Sequence, residues 1–107
     1  MAFRLKITSK ALWDLKEIGR TPGAEQYAQR LLKRAHSLVL FPYRHGALRG
    51  RPHIRKAPLE SHLILYKIHD DRKLVEIVRF WHAARDQRRL RLKEEVAPPY
   101  EAVKVGA

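Results

Sequence analysis

Phe3, Leu5 and Ile7 alternate with Arg4, Lys6 and Thr8, and this period of two predicts a half-buried strand with a polar outer face. Ser9 is the expected N-cap of a following helix that carries Leu12, Leu15 and Ile18 at spacings of three. Gly19 and the stretch Thr21-Pro22-Gly23 break that helix. A second helix is predicted from about Ala24, with Tyr27, Leu31, Ala35 and Leu38 on one stripe, read as core. It should stop near Phe41-Pro42, because a proline pushes the residue before it out of helical geometry. Two helices joined so closely predict a hairpin.

From Tyr43 to Pro58 the chain turns to Arg, His, Gly and Pro, with His45-Gly46 and Gly50-Arg51-Pro52 as turn signals. The expectation is an exposed loop leading into a short strand around His53–Ala57. His62–His69 reads as the central strand, since both of its faces are apolar: Ile64, Tyr66 and Ile68 on one, Leu63 and Leu65 on the other. Asp70-Asp71-Arg72-Lys73 is a hairpin turn into a last strand, Leu74–His82. Strict alternation there puts Val75, Ile77 and Trp81 on one face and Leu74, Val78 and Phe80 on the other. A basic stretch, Arg85–Lys93, follows, and a tail with Pro98-Pro99 is expected to be loose.

The order is strand, helical hairpin, then three strands as an antiparallel meander. That is a two-layer α+β domain whose sheet packs one face on the helices and leaves the other partly open. With 107 residues there is room for one domain, expected over 1–94, with 95–107 as the loose tail.

Charge changes this picture most. Twenty-three Lys and Arg against 11 Asp and Glu leave +12 at pH 7, which favours phosphate backbones or acidic protein segments as partners. The absence of cysteine excludes disulfides, thiolate nucleophiles and Cys-based zinc sites. No stretch approaches the ~20 apolar residues of a membrane span and nothing at the start resembles a signal peptide, so a soluble, cytoplasmic protein is expected. No metal or cofactor is expected either: no His-x-x-x-His pair occurs, and His62 and His69 lie an odd number apart on one strand. Phosphate-binding glycine loops, nucleophile elbows and paired carboxylates are missing too, which leaves nucleotide hydrolysis, serine hydrolysis and glycoside chemistry without support.

The basic residues gather in two regions, Arg44, Arg49, Arg51, Arg55 and Lys56 before the central strand, and Arg79, Arg85, Arg88, Arg89, Arg91 and Lys93 at the end. His53, His62 and His82 fall on or beside strands. Cleavage of a phosphodiester by a ribose 2′-hydroxyl needs a proton acceptor, a proton donor and a cation for the developing charge. Histidine and arginine can supply all three. Each of these residues also has a structural reading: His62 and His82 can hold strand ends, Arg79 can cover the sheet with its stem, and the terminal Arg run can be a solvated helical turn.

The run Val75-Glu76-Ile77-Val78-Arg79-Phe80-Trp81-His82-Ala83-Ala84-Arg85-Asp86 resembles the closing strand of toxins of the RelE/ParE superfamily. Ala24–Pro42 is similar to the second helix of that family. Ala47-Leu48-Arg49-Gly50 followed by His62–Ile68, including Tyr66, is similar to its loop and central strand. The likeness runs over residues 3 to 88 and implies a RelE-like fold. It also implies a type II toxin–antitoxin (plasmid stabilisation) role and an acidic antitoxin as partner, with DNA reached only through the antitoxin complex. RelE-like members cut mRNA in the ribosomal decoding site and ParE-like members poison DNA gyrase, so the resemblance implies ribosome and mRNA, or gyrase, as target. A third reading is an inactive homologue serving as co-repressor.

Two positions depart from the ribonuclease pattern: Leu63 stands where an Arg is usual, and Arg88 where a Tyr is usual. The catalytic set implied by the ribonuclease likeness is then His62, His82, Arg85 and Arg88, with Asp86 beside it. The phosphate-binding set is Arg49, Arg51, Arg55, Lys56 and Arg79. The wording His82-Ala83-Ala84-Arg85-Asp86 is nearer to ParE.

Overall fold

The computed structural model of the chain describes residues 2–90 and the short strand Lys104–Val105. Strand β1, Arg4–Ile7, leads into helices α1, Ser9–Gly19, and α2, Glu25–Ser37. Then come β2, Ala47–Leu48, β3, Arg51–Leu59, β4, His62–His69, and β5, Leu74–His82. With Lys104–Val105 as β6, the sheet has the order β2-β3-β4-β5-β1-β6. β2 to β5 form an antiparallel meander, and β1 lies parallel to β5 because the helical hairpin carries the chain back across one face. The expected α+β fold is present. Pro98-Pro99 and Arg91–Lys93 lie outside the described residues, as does most of the stretch 95–107.

The N-cap of α1 is Thr8, not Ser9: the Thr8 hydroxyl accepts from the Ala11 N–H at 3.1 Å. Its oxygen also lies 3.4 Å from the Val78 carbonyl, so one residue caps the helix and ties it to β5. The hairpin is tight where Gly19 meets α2; a Cβ there would sit 3.3 Å from that of Ala28. Gly23, at φ +85°, makes the turn between the helices.

The stretch Tyr43–Pro58 is less of a loop than its composition predicts. It holds one strand pair, β2 with β3, and β3 begins at Arg51, earlier than His53. Leu48 and Ile54 explain this, since both are buried and need a sheet face to pack on.

The faces of β5 also differ from strict alternation. Tyr66 pairs with Ile77 but Leu65 pairs with Arg79, so Val78 is an extra residue in β5, a β-bulge. The bulge resets the alternation. Val75, Ile77 and Phe80 join the main core with Leu5, Ile7, Leu31, Ala35, Ile64 and Tyr66 under the helices. Val78 and Trp81 turn to the other face. There Leu48, Ile54, Leu65 and Leu90 pack with them in a second, smaller core. The second face is therefore not an open surface at this end, because the turn after β5 folds Leu90 over it.

Candidate functional site

The short turn between β3 and β4 places Leu59 opposite His62, and the register of β4 with β5 places His62 opposite His82. Both imidazoles therefore come to one end of the sheet, on the helix side. Their ring centroids are 5.0 Å apart with the planes at 71°. His62 is 9% exposed, while His82 is open to solvent.

The two rings are held differently. His62 Nδ1 lies 2.6 Å from the Tyr27 hydroxyl on α2, and Tyr27 in turn donates to the Leu59 carbonyl at 3.2 Å and lies 3.3 Å from Ser61 Oγ. His82 Nδ1 accepts from the Ala84 N–H at 3.1 Å, so neutral His82 carries its proton on Nε2. Burial, and then the neighbouring His82, push the His62 pKa below the ordinary imidazole value. Burial thus favours the neutral form of His62, and the bond from Ala84 occupies Nδ1 of His82.

Arg85 follows His82 in the turn after β5 and is held by Trp81, whose side chain belongs to the second core. Its guanidinium stacks 4.2 Å over the indole, and the indole N–H points to the Arg85 carbonyl at 3.4 Å. Such stacking stabilises by roughly 0.5–2 kcal/mol and leaves the guanidinium edge available to an anion. Arg88 is more committed. Asp86 caps the short turn Gln87–Arg89 and binds Arg88 Nε and Nη2 at 3.1 and 2.9 Å. The hydrogen bond from Arg88 holds the Asp86 carboxyl below its usual range. Asp86 thus shapes the turn and positions Arg88.

The expected phosphate-binding set does not converge. Arg79 is buried and forms a two-pronged ion pair with Asp14 of α1, Nε to Oδ2 at 2.6 Å and Nη2 to Oδ1 at 2.9 Å. Its guanidinium is taken up inside the protein, which corrects the expectation that it faces phosphate. Arg55 is on the helix side at the far end of the sheet, donating to the His45 carbonyl at 2.5 Å and stacking 5.0 Å from the Tyr43 ring. Arg51 donates to the Leu90 carbonyl at 2.6 Å, and Lys56 pairs in register with Leu65 of the second core. Arg49 is exposed in the turn between β2 and β3.

Sequence reasoning missed two partners. Tyr27 sat on the core stripe, and Leu31 and Ala35 are indeed core, but the Tyr27 hydroxyl belongs to the His62 site. Asp14 is buried among apolar residues of α1; its spacing of three from Ala11 on the sheet-facing side was the available signal. A third cluster lies on the second face. Glu76 there binds His69 Nε2 at 2.7 Å and lies 3.8 Å from Lys6 Nζ. His62 and His69 do point to opposite faces, as their spacing predicts. Among the described residues no set of three or more His, Cys, Asp or Glu could hold a metal ion, and no helix is long and apolar enough to cross a membrane.

At the end of the sheet opposite the histidines, Phe3, Leu40, Phe41, Pro42, Tyr43 and Arg44 line a groove of about 630 Å³. Phe41 is 68% exposed and Leu40 66%, unusual for side chains of their size. Lys73 lies 5.3 Å over the Phe3 ring and Arg55 5.0 Å over Tyr43, so the groove has a basic rim. A hydrogen bond to Asp70 raises the Tyr43 pKa above the ordinary phenol value.

The chain matches the family model for the ParE toxin of type II toxin–antitoxin systems over residues 5–87. Its fold is similar to that of the Mycobacterium tuberculosis RelBE2 toxin–antitoxin complex, at 21% identity and a TM-score of 0.65 over 77% of this chain and 99% of the other. It is similar to the Escherichia coli toxin RelE in a mutant form, at 24% identity and a TM-score of 0.62, covering 78% and 86%. It is also similar to the chromosomal ParDE system of Pseudomonas aeruginosa, at 21% identity and a TM-score of 0.62, covering 75% and 95%. No curated protein matches the chain in sequence.

Proposed function

The chain belongs to the RelE/ParE superfamily of type II toxin–antitoxin toxins, and on that premise we propose that it arrests growth by cutting mRNA on the ribosome at the His62–His82 end of the sheet. The observation that carries this reading is the pair of imidazoles at 5.0 Å, one buried against Tyr27, the other exposed with Nδ1 taken by the Ala84 N–H. Attack by a ribose 2′-hydroxyl needs a base for its proton, and departure of the 5′-oxygen needs an acid. His62 as a neutral imidazole suits the first task, and His82 suits the second once it has taken up a second proton as the imidazolium. Arg85, three residues after His82 and held on Trp81, suits the charge developing on the phosphate. Among the described residues Arg55, Arg79 and Arg88 are held elsewhere, so the ribosome supplies much of the substrate geometry, and cleavage of free RNA is slow.

A second reading has its own support. The matching family model is that of ParE, and Arg55, Arg79 and Arg88 do not converge on the histidines. Under this reading the chain poisons DNA gyrase, as ParE-like toxins do, and the histidines are structural. Expressing the chain alone in bacteria separates the two. Arrested translation with cut mRNA supports the ribonuclease, whereas accumulating DNA breaks with normal translation support the gyrase poison.

The partner in either case is an acidic antitoxin. The groove around Phe41 fits a segment that places apolar side chains between Leu40 and Tyr43 and acidic ones against Arg44, Arg55 and Lys73. A +12 chain favours such a segment over a second copy of itself. The antitoxin product of a neighbouring reading frame should co-purify with the chain.

A further inference from the structure

The Tyr27 hydroxyl has one proton and three polar neighbours: the Leu59 carbonyl at 3.2 Å, Ser61 Oγ at 3.3 Å and His62 Nδ1 at 2.6 Å. The carbonyl can only accept, whereas a neutral imidazole nitrogen can accept or donate, depending on its tautomer. If Tyr27 gives its proton to Leu59, His62 must donate from Nδ1, and its Nε2 is left with a lone pair. If Tyr27 gives its proton to His62 instead, the Leu59 carbonyl loses this partner. His62 and His82 would then both carry Nε2 protons, and the two adjacent rings would offer two donors and no acceptor. The first arrangement keeps the Tyr27–Leu59 hydrogen bond and makes the pair complementary.

We propose that Tyr27 is a positioning residue: by donating to Leu59 and accepting the Nδ1 proton of His62, it locks His62 in the tautomer whose Nε2 can take the proton of a ribose 2′-hydroxyl. The proposal rests on the ribonuclease reading for its chemistry and on the Tyr27, Leu59 and His62 geometry for its tautomer. The titratable groups facing His62 from each packed element are Tyr27 on α2, His82 on β5 and Asp14 on α1. Asp14 is already bound by Arg79 and the Phe80 N–H, so it does not compete for the imidazole proton. Arg30, whose guanidinium lies 5.3 Å from the Tyr27 ring, is tied at 2.9 Å to Glu60, and this adds an outer brace to the phenol. The end of β3 and the turn after it thus set the site from outside: Leu59 supplies the carbonyl and Glu60, in a left-handed conformation at φ 51°, holds Arg30.

The test is the nitrogen NMR spectrum of the imidazoles in the full chain at pH 7.5, with and without Tyr27→Phe, alongside cleavage of ribosome-bound mRNA from pH 5 to 9. Wild-type His62 should carry its proton on Nδ1 and His82 on Nε2. Tyr27→Phe should move the His62 proton towards Nε2 while His82 keeps its tautomer. The same variant should lower the cleavage rate constant at least ~10-fold with KM unchanged, a part of the ~10²–10⁴-fold a positioned base contributes. The acid limb of its pH profile should also shift. A wild-type spectrum with His62 protonated on Nε2 overturns the proposal without need of any variant. So does a Tyr27→Phe protein with the wild-type tautomer and rate. A wild-type chain with the expected tautomers that cuts no mRNA overturns the ribonuclease reading, and with it Tyr27's part in the chemistry, and leaves the hydrogen-bond assignment standing.

Discussion

Replacing Arg79 by alanine should unfold much of what holds α1 to the sheet. Asp14 is only 6% exposed at its side chain and accepts three hydrogen bonds, two from Arg79 and one from the Phe80 N–H at 3.1 Å. Removing Arg79 leaves a buried carboxylate with one partner, and breaking a buried pair from one side costs ~3–5 kcal/mol. Total stability for a domain of this size is ~5–15 kcal/mol, so the loss is a large fraction of it. At ~4–8 °C per kcal/mol the melting temperature should fall by more than ~10 °C. Arg79→Lys should lie between, because lysine keeps the charge but not the planar fork. Asp14→Leu combined with Arg79→Met removes both charges and should recover most of the stability that Arg79→Ala loses. Thermal melts followed by circular dichroism, read as a double-mutant cycle, give these numbers directly. The doubly substituted protein should also still arrest growth, since the Arg79 guanidinium is committed to Asp14 inside the protein. An Arg79→Ala protein of unchanged stability that no longer arrests growth would refute the reasoning and return Arg79 to the phosphate surface.

Burial lowers the pKa of both His62 and His45, so the unfolded chain binds their protons at higher pH than the folded chain does. Stability should therefore be independent of these groups above pH ~7 and fall as the pH drops through the imidazole value of ~6.5; His62→Gln should flatten part of that fall in urea titrations at pH 7.5 and 5.5. Phe41→Glu should weaken binding of the acidic antitoxin at least ~10-fold in calorimetry, about 1.4 kcal/mol, while growth arrest by the toxin alone persists. Equal antitoxin affinity for Phe41→Glu and wild type would remove the groove as the docking surface. Leu90→Ala should cost ~2–5 kcal/mol, because Leu90 is buried among Leu48, Ile54, Leu65, Val78 and Trp81, and Arg51 binds its carbonyl. A melting temperature unmoved by that change would mean that the turn after β5 does not close the second core.

The helical hairpin, the central strand and the hairpin turn at Asp70–Lys73 were legible in the sequence, because each rests on local periodicity or on a turn signal. β4 is found at His62–His69, as its two apolar faces predict. The faces of β5 were not legible, since one extra residue at Val78 exchanges every side chain beyond it, and no residue type there announces a bulge. β2 escaped notice because two residues, Ala47 and Leu48, carry no period. For the site, the histidines could be named but not paired; their meeting depends on register, which turn geometry fixes. Arg79 shows the limit most clearly. Its charge is visible in the sequence, but its counter-charge, Asp14, lies 65 residues away.

The ends of ribosome-bound mRNA in cells expressing the chain test the central claim most directly. Primer extension should show new 5′ ends within minutes of inducing the wild-type toxin, and His82→Ala should lower their yield at least ~10²-fold, the lower end of what a general acid contributes. Intact ribosome-bound mRNA under wild-type induction, with DNA breaks accumulating and a His62→Ala/His82→Ala double variant still fully toxic, would contradict it.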